Sequence, residues 1–186
     1  MQEIIKADLF RYIPKPYSLK NLFKGFRSQG FRYMFIKRQL ELSRKGSFKY
    51  LFLKILIRHY TYKYGFQMGS KIGGGFYIGH FGTIITSDEA IIGSNCNISP
   101  GVTIGVTRRG EKAGAPLIGN EVWIGTGAII VGKIKIGNNV LIAPGAFINF
   151  EVPDNSIVIG NPGIIRPCND ATAYYINNKY QVEIFM

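Results

Sequence analysis

Cysteine and histidine are scarce in this chain. Two cysteines, Cys96 and Cys168, cannot build a disulfide framework, and no Cys-x-x-Cys pair signals zinc. Two histidines, His59 and His80, exclude a three-histidine metal site within one chain, so no metal is expected. Long apolar runs are missing as well. The longest charge-free one near the N-terminus, Tyr50-Leu51-Phe52-Leu53, is far too short to cross a bilayer. Met1-Gln2-Glu3-Ile4-Ile5-Lys6 has neither the apolar core nor the cleavage site of a secretory signal. A reduced, cytoplasmic protein with inert or buried thiols is the expectation. Acid is scarce where base is plentiful: residues 1–65 hold 15 Lys+Arg against 3 Asp+Glu, while residues 66–186 hold 8 against 8. A basic front end joined to a neutral body excludes a uniformly cationic nucleic-acid binder.

What is present is apolar and glycine-rich. At 186 residues and 46% apolar the chain can build one core, and its 23 glycines are about one residue in eight. From residue 118 an aliphatic side chain recurs at every sixth position: Ile118, Ile124, Ile130, Ile136, Ile142 and Ile148. Four residues after each of the first five comes Val122, Ala128, Ile134, Val140 or Ala146. The same period runs through Ile72, Ile78 and Ile84, then Ile92, Ile98 and Ile104 after a slip of two residues. Period six fits neither a helix nor a half-buried strand. It fits a short strand plus a tight turn, repeated as the sides of a triangular coil.

Three sides make a turn of roughly 18 residues in a parallel β-helix. Aliphatic residues stack inward, and glycines occupy corners that need positive φ or leave no room for a side chain. About eleven hexads predict three to four coils. Ile104 and Ile118 lie fourteen positions apart, so Val106 to Leu117 forms an extruded polar loop, a common place for function.

Residues 1–65 read as helices: a short segment capped by Ser18, then Phe31 to Arg44, then Ser47 to Tyr60. Phe48, Leu51, Phe52, Ile55 and Leu56 form one apolar stripe at i, i+3, i+4, i+7 and i+8. That stripe is expected to cover the open edge of the first coil. A basic, aromatic-rich front end also suits an anionic membrane or an anionic, lipid-linked substrate. The chain thus divides into 1–65, a solenoid over 66–167 with its loop at 106–117, and a tail over 168–186.

Residues 66–167 resemble the hexapeptide-repeat acyltransferases, in particular their serine acetyltransferase branch. The resemblance rests on Lys71-Ile72-Gly73-Gly74-Gly75, Ile78-Gly79-His80-Phe81-Gly82-Thr83-Ile84, Val102-Thr103-Ile104-Gly105 and Val122-Trp123-Ile124-Gly125-Thr126-Gly127-Ala128. Val152-Pro153, Gly160-Asn161-Pro162 and the length of the loop add to it. It implies a mainly β, left-handed parallel β-helix that works as a homotrimer and moves acetyl from acetyl-CoA to a hydroxyl. His80 takes the place of the general base. Gly105 and Val106 would offer backbone N–H groups to the oxyanion. Thr126, Gly127, Ala128 and Pro144 match positions lining the acyl-donor groove, with Trp123 as its wall or an interface contact. Arg108, Arg109, Lys112 and Lys133 are candidates for the CoA phosphates.

Departures from the branch concern the acceptor. Serine acetyltransferases carry an Asp immediately before the histidine and another fifteen residues upstream; here those places are Gly79 and Gly65. Their loop carries Arg-His before Pro-Lys; here Gly114 and Ala115 precede Pro116 and Leu117. An amino acid needs partners for both its charges, and losing such partners is costly. The acceptor side keeps Phe76, Tyr77 and Phe81, with Asp88, a backbone carbonyl or water as candidates to hold His80. The expected function is therefore an O-acetyltransferase acting on a sugar of a surface polysaccharide or its lipid-linked precursor, at the inner face of the membrane. The alternatives are a divergent serine O-acetyltransferase of cysteine synthesis and a non-catalytic trimeric scaffold that binds membrane or polymer.

Overall fold

The computed structural model describes residues 3–180; the last six residues of the tail read above lie outside them. Four helices, α1 (Glu3–Tyr12), α2 (Leu19–Gly25), α3 (Gln29–Glu41) and α4 (Phe48–Tyr64), precede a series of two- to four-residue strands. Consecutive strands fall into three sheets, as the sides of a triangular coil must. The first sheet stacks β1 (Phe66–Met68), β4 (Ile84–Thr86), β7 (Thr103–Gly105), β10 (Ile129–Val131) and β13 (Phe147–Ile148). The second stacks β2 (Lys71–Ile72), β5 (Ile91–Ile92), β8 (Leu117–Ile118) and β11 (Lys135–Ile136). The third stacks β3 (Tyr77–Ile78), β6 (Asn97–Ile98), β9 (Val122–Ile124), β12 (Val140–Ile142) and β14 (Ser156–Ile159). All these pairings are parallel; only β15 (Ile164–Pro167) turns back, antiparallel on β14, and ends the third sheet.

The coil makes about five turns, more than the three to four that the hexads predict. Its end turns are built from Phe66–Met68 and from Val152 and Val158, which break the isoleucine pattern while filling its positions. The core is three columns of side chains. Thr86, Ile104, Ile130 and Ile148 stack on the first sheet; Ile72, Ile92, Ile118, Ile136 and Val152 on the second; Ile78, Ile98, Ile124, Ile142 and Val158 on the third. The isoleucines among them are almost fully buried. Each fully buried side chain of this kind contributes about 1.5–3 kcal/mol.

Where the second and third sheets meet, Gly73, Gly93, Gly119 and Gly137 lie one above another. A Cβ on Gly119 would stand 2.6 Å from the Gly137 carbonyl oxygen, so a side chain there would push the coils apart. Beside them Asn120 Oδ1 accepts from Ser94 N, Asn138 Oδ1 from Asn120 N and Asp154 Oδ1 from Asn138 N, each at 2.8 Å.

The slip in the repeat falls elsewhere than the spacing indicates. Thr86, not Ile84, stands beneath Ile104 in register. From Ile78 to Thr86 is eight positions, against six from Ile98 to Ile104, so the two extra residues lie in the turn 79–83 that carries His80.

The front end differs more. Ser18 caps α2 as expected and Ser47 caps α4, each accepting from the backbone N–H three residues on, and α4 runs past the expected Tyr60 to Tyr64. Helix α3 begins at Gln29 and stops at Glu41, short of Arg44. Helix α1 has no counterpart in the sequence reading, because its buried face carries Asp8 and Arg11 among Ile5, Ala7 and Leu9. Asp8 accepts from Arg38 Nε at 3.0 Å and from Phe76 N at 2.9 Å, while Arg38 also donates to the Ile72 and Gly73 carbonyls. This pair, both partners buried, fastens α1 and α3 to the first coil.

Helix α4 is turned the other way from its expected stripe. Leu53, Ile57, Tyr60 and Tyr64 face the core, whereas Phe48 is 87% and Ile55 72% exposed. A helix apolar on both sides does not set its own rotation. Here the choice follows from Tyr64, which packs at 5.7 Å on Phe66 and accepts from Arg32 at 2.7 Å. The first coil is instead covered by Tyr33, Met34 and Tyr64. No helix among the described residues is long and apolar enough to cross a membrane.

Candidate active site

Strand order sorts the predicted residues onto two corners. Between the third and first sheets run the turns 79–83, 99–102, 125–128 and 143–146, which hold His80, Phe81, Thr126, Gly127, Ala128 and Pro144. Between the first and second sheets run 87–90, 106–116 and 132–134, which hold Asp88, Val106, Arg108, Arg109, Lys112 and Lys133, with Gly105 at the end of β7. A three- to four-residue strand separates the two corners by roughly 10–13 Å. One chain therefore does not bring Gly105 or Val106 to His80. Asp88 is corrected on the same ground: it stands across the first sheet from His80, so within its own chain it does not hold that imidazole.

His80 is exposed and has no hydrogen-bond or ion-pair partner among the described residues. Its turn is held by the backbone instead. Gly82 N donates to the Tyr64 carbonyl at 3.0 Å, Ile84 N to the Gly65 carbonyl at 3.0 Å, and Gly101 N to the Thr83 carbonyl at 2.6 Å. Gly65 ends α4 in the left-handed conformation at φ +78°. The first coil thus presents His80 on an enlarged corner tied to the end of a helix.

Beside that corner lies a cleft of about 370 Å³ lined by Tyr77, His80, Asn97, Ser99, Trp123 and Tyr175, among others. Its wall toward α1 is Arg11, whose guanidinium donates to the Gly75 carbonyl and Asn97 Oδ1 at 2.6 Å and to the Asn177 carbonyl at 3.0 Å. Arg11 is thereby tied to neutral acceptors. The cleft offers aromatic faces and neutral amide and hydroxyl groups, the furniture of a polar but uncharged ligand.

The tail supplies part of the wall. From β15 it returns along the third sheet: Cys168 N donates to the Asn155 carbonyl, and Thr172 Oγ1 to Asn139 Oδ1 at 2.7 Å. Asn97 Nδ2 donates to the Tyr175 carbonyl at 3.0 Å, and Asn95 exchanges two bonds with the Tyr180 backbone. Asn95, Asn139 and Asn155 all have φ between +51° and +56°, the left-handed conformation that asparagine tolerates. Tyr175 meets Trp123 with ring centroids 4.8 Å apart. Beyond that pair lies a second, mostly apolar groove of about 630 Å³ with Leu141, Pro144, Ile157, Ile159 and Tyr174 in its walls. Trp123 is thus the partition between two adjoining recesses.

On the other corner the loop is a small hairpin, closed by reciprocal backbone bonds between Thr107 and Gly114. Arg108 pairs with Glu89 at 2.9 Å, and Lys112 Nζ donates to the Asn149 carbonyl at 2.7 Å. Arg109 and Lys133 are exposed. Burial pushes the Cys96 thiol up to about 12, which makes it chemically inert. Among the described residues no cluster of three or more His, Cys, Asp or Glu side chains can hold a metal ion.

Sequence reasoning missed Arg11, Asn97, Ser99 and Asn177. Asn97 and Ser99 sit at outward hexad positions with no distinguishing pattern, and Arg11 and Asn177 come from opposite ends of the chain.

Residues 115–149 match the family described as bacterial transferase hexapeptide (six repeats). Over 95 residues the chain is 37% identical to a serine acetyltransferase of Synechococcus elongatus, covering 51% of this chain and 39% of that protein. Over 131 residues it is 35% identical to the galactoside O-acetyltransferase of Escherichia coli, covering 63% and 64%. The chain thus spans less than two thirds of the length of these curated relatives. Its structure resembles that of the Neisseria gonorrhoeae serine acetyltransferase solved in complex with serine, with a TM-score of 0.70 and 27% identity over 88% of this chain and 68% of that one. It shares the fold of a Brucella abortus serine acetyltransferase solved with coenzyme A, at a TM-score of 0.72 and 24% identity over 91% of this chain and 68% of that one. Repeat, solenoid and relatives agree: this chain is built on the hexapeptide-repeat β-helix of the bacterial transferases, with serine acetyltransferases and a galactoside O-acetyltransferase among its relatives.

Proposed function

We propose that this protein is an acetyl-CoA-dependent O-acetyltransferase whose acceptor is a sugar hydroxyl, in surface-polysaccharide synthesis at the inner face of the membrane. His80 takes the acceptor's proton as its oxygen attacks the thioester carbonyl, then returns a proton to the departing thiolate. The apolar groove past Trp123 suits the uncharged arm of the donor, with Thr126, Gly127, Ala128 and Pro144 along the same corner. Gly105, Val106, Arg108, Arg109 and Lys133 join this site only from a second copy, so the working form is a homotrimer with each site shared between neighbours.

The observation that carries the sugar reading is the character of the cleft beside His80. Its one charged wall, Arg11, is held by three neutral acceptors of its own chain. Gly65 and Gly79 stand where serine acetyltransferases carry carboxylates, and within one chain the described walls of the cleft hold no Asp or Glu for an ammonium group. Tyr77, Trp123 and Tyr175 offer faces on which a sugar ring packs. A second reading, serine O-acetylation, is favoured by the structural likeness to serine acetyltransferases, which extends over the helices as well as the coil.

Release of free CoA thiol, measured with galactosides and nucleotide-linked sugars against L-serine, separates the two. Turnover with a sugar is expected to exceed turnover with serine; the reverse result overturns the assignment. With the accepted substrate, His80→Ala is expected to slow turnover by about 10²–10⁴-fold at unchanged melting temperature, since the side chain is exposed.

A further inference from the structure

We infer that the outward face of α4 is a docking surface for an anionic lipid bilayer. Phe48, Leu51, Phe52, Ile55 and Tyr62 share this face, and all five are exposed. At about 100° per residue, Lys49 and Lys63 fall along one flank of the stripe and Lys54 and Arg58 along the other. The pattern is an apolar band, interrupted only by the exposed His59, with cations along both borders, which is how a helix lies in the plane of a membrane interface. Long basic side chains there keep their charge at the headgroups while their stems join the apolar surface.

Charge decides what covers the band. No Asp or Glu occurs between Glu41 and Asp88. The three acids of the front end are already engaged: Glu3 with Lys6, Asp8 with Arg38 and Glu41 with Lys37. Among the described residues Lys49 meets only Gln39, Arg58 lies over the Tyr62 ring, and Lys54 and Lys63 have no acidic partner. A second copy set face to face on this helix would oppose four cations with four more. A bilayer of anionic lipid satisfies both halves of the pattern, with apolar chains for the band and headgroup charges for its borders. The inference rests on the membrane-face location proposed above but not on acetyl transfer: vesicle binding and CoA release are read separately, so either can fail alone.

The test uses the full chain in vesicle co-sedimentation. Vesicles of equimolar phosphatidylglycerol and phosphatidylcholine are expected to carry the protein down, and phosphatidylcholine alone to carry far less. Phe52→Ser/Ile55→Ser should weaken binding roughly 100-fold. Lys49→Gln/Lys54→Gln should weaken it roughly 30-fold and only on the anionic vesicles. Both variants alter exposed side chains, so an unchanged melting temperature certifies the fold. The inference is overturned if the anionic vesicles fail to bind the chain, or if the serine variant binds as well as the parent. It is equally overturned if that variant lowers the mass of the assembly in light scattering, which would show a second copy seated on the band.

Discussion

The solenoid and the helices in front of it settle by different rules which apolar side chains are buried, though both expose some: Ile85, Ile91, Leu117 and Ile129 sit at outward positions of the coil. In the coil, Ile92, Ile98, Ile118, Ile124 and their column neighbours all point inward, held by strands above and below. In α4, large apolar residues divide between the core and the surface, and the larger exposed set includes two phenylalanines. The cause is geometric. A strand paired on both sides has its alternate faces fixed by the ladder, so one buried residue decides the next. A helix can rotate about its axis, and only its neighbours choose which stripe is covered. Repetition thus makes burial a property of position, whereas a single helix leaves it to context.

Substitutions in the two regions sharpen or break this contrast. The largest stability loss is expected in the front end, from Arg38→Met, which strands the buried Asp8 carboxylate. About 3–5 kcal/mol in urea unfolding is the expected cost; a negligible loss would show that the helices sit on the coil without that anchor. Ile124→Ala, in the middle of the third column, should cost about 2–5 kcal/mol by the same measurement. Ile55→Ser in α4 should fall within about 0.5 kcal/mol of the parent, and a loss like that at Ile124 would erase the distinction.

The smallest effect concerns pH. The Asn138 backbone N–H holds the Asp154 carboxyl below its ordinary value. A carboxyl lowered in the folded state stabilises fully above its unfolded pKa, and that share fades as pH falls through the folded value. Asp154→Asn, titrated by thermal melts toward acid, should slightly flatten the acid limb; an identical limb would dissociate the carboxylate from the corner ladder.

Legibility in the sequence follows the same division. The hexads from Ile118 to Ile148 reveal the coil because every turn repeats one physical requirement. The end turns fall inside the expected 66–167 yet escape the hexad count, because Phe66, Met68, Val152 and Val158 meet that requirement with other side chains. The two-residue slip is visible, yet its location is not: Thr86 takes the inward place that the spacing assigns to Ile84, and only the ladder register resolves this. Helix α1 is hidden by Asp8 and Arg11, whose burial makes sense only beside Arg38, Gly75 and Asn97. His80 stands out through the resemblance of the residues around it, and the structure puts it at a cleft. The walls of that cleft come from α1, three coils and the tail, contacts between residues up to 167 positions apart that no local pattern announces.

The returning tail has a mechanical consequence. A stack of coils joined only to nearest neighbours frays from its ends, one rung after another. Here residues 168–180 lead from the last rung back to the second coil and to α1, where Tyr180 is gripped by Asn95 and Asn177 by Arg11. The stack is laced into a hoop, so neither end can peel while the other holds, and its melting should resemble a latch giving way more than a zipper opening.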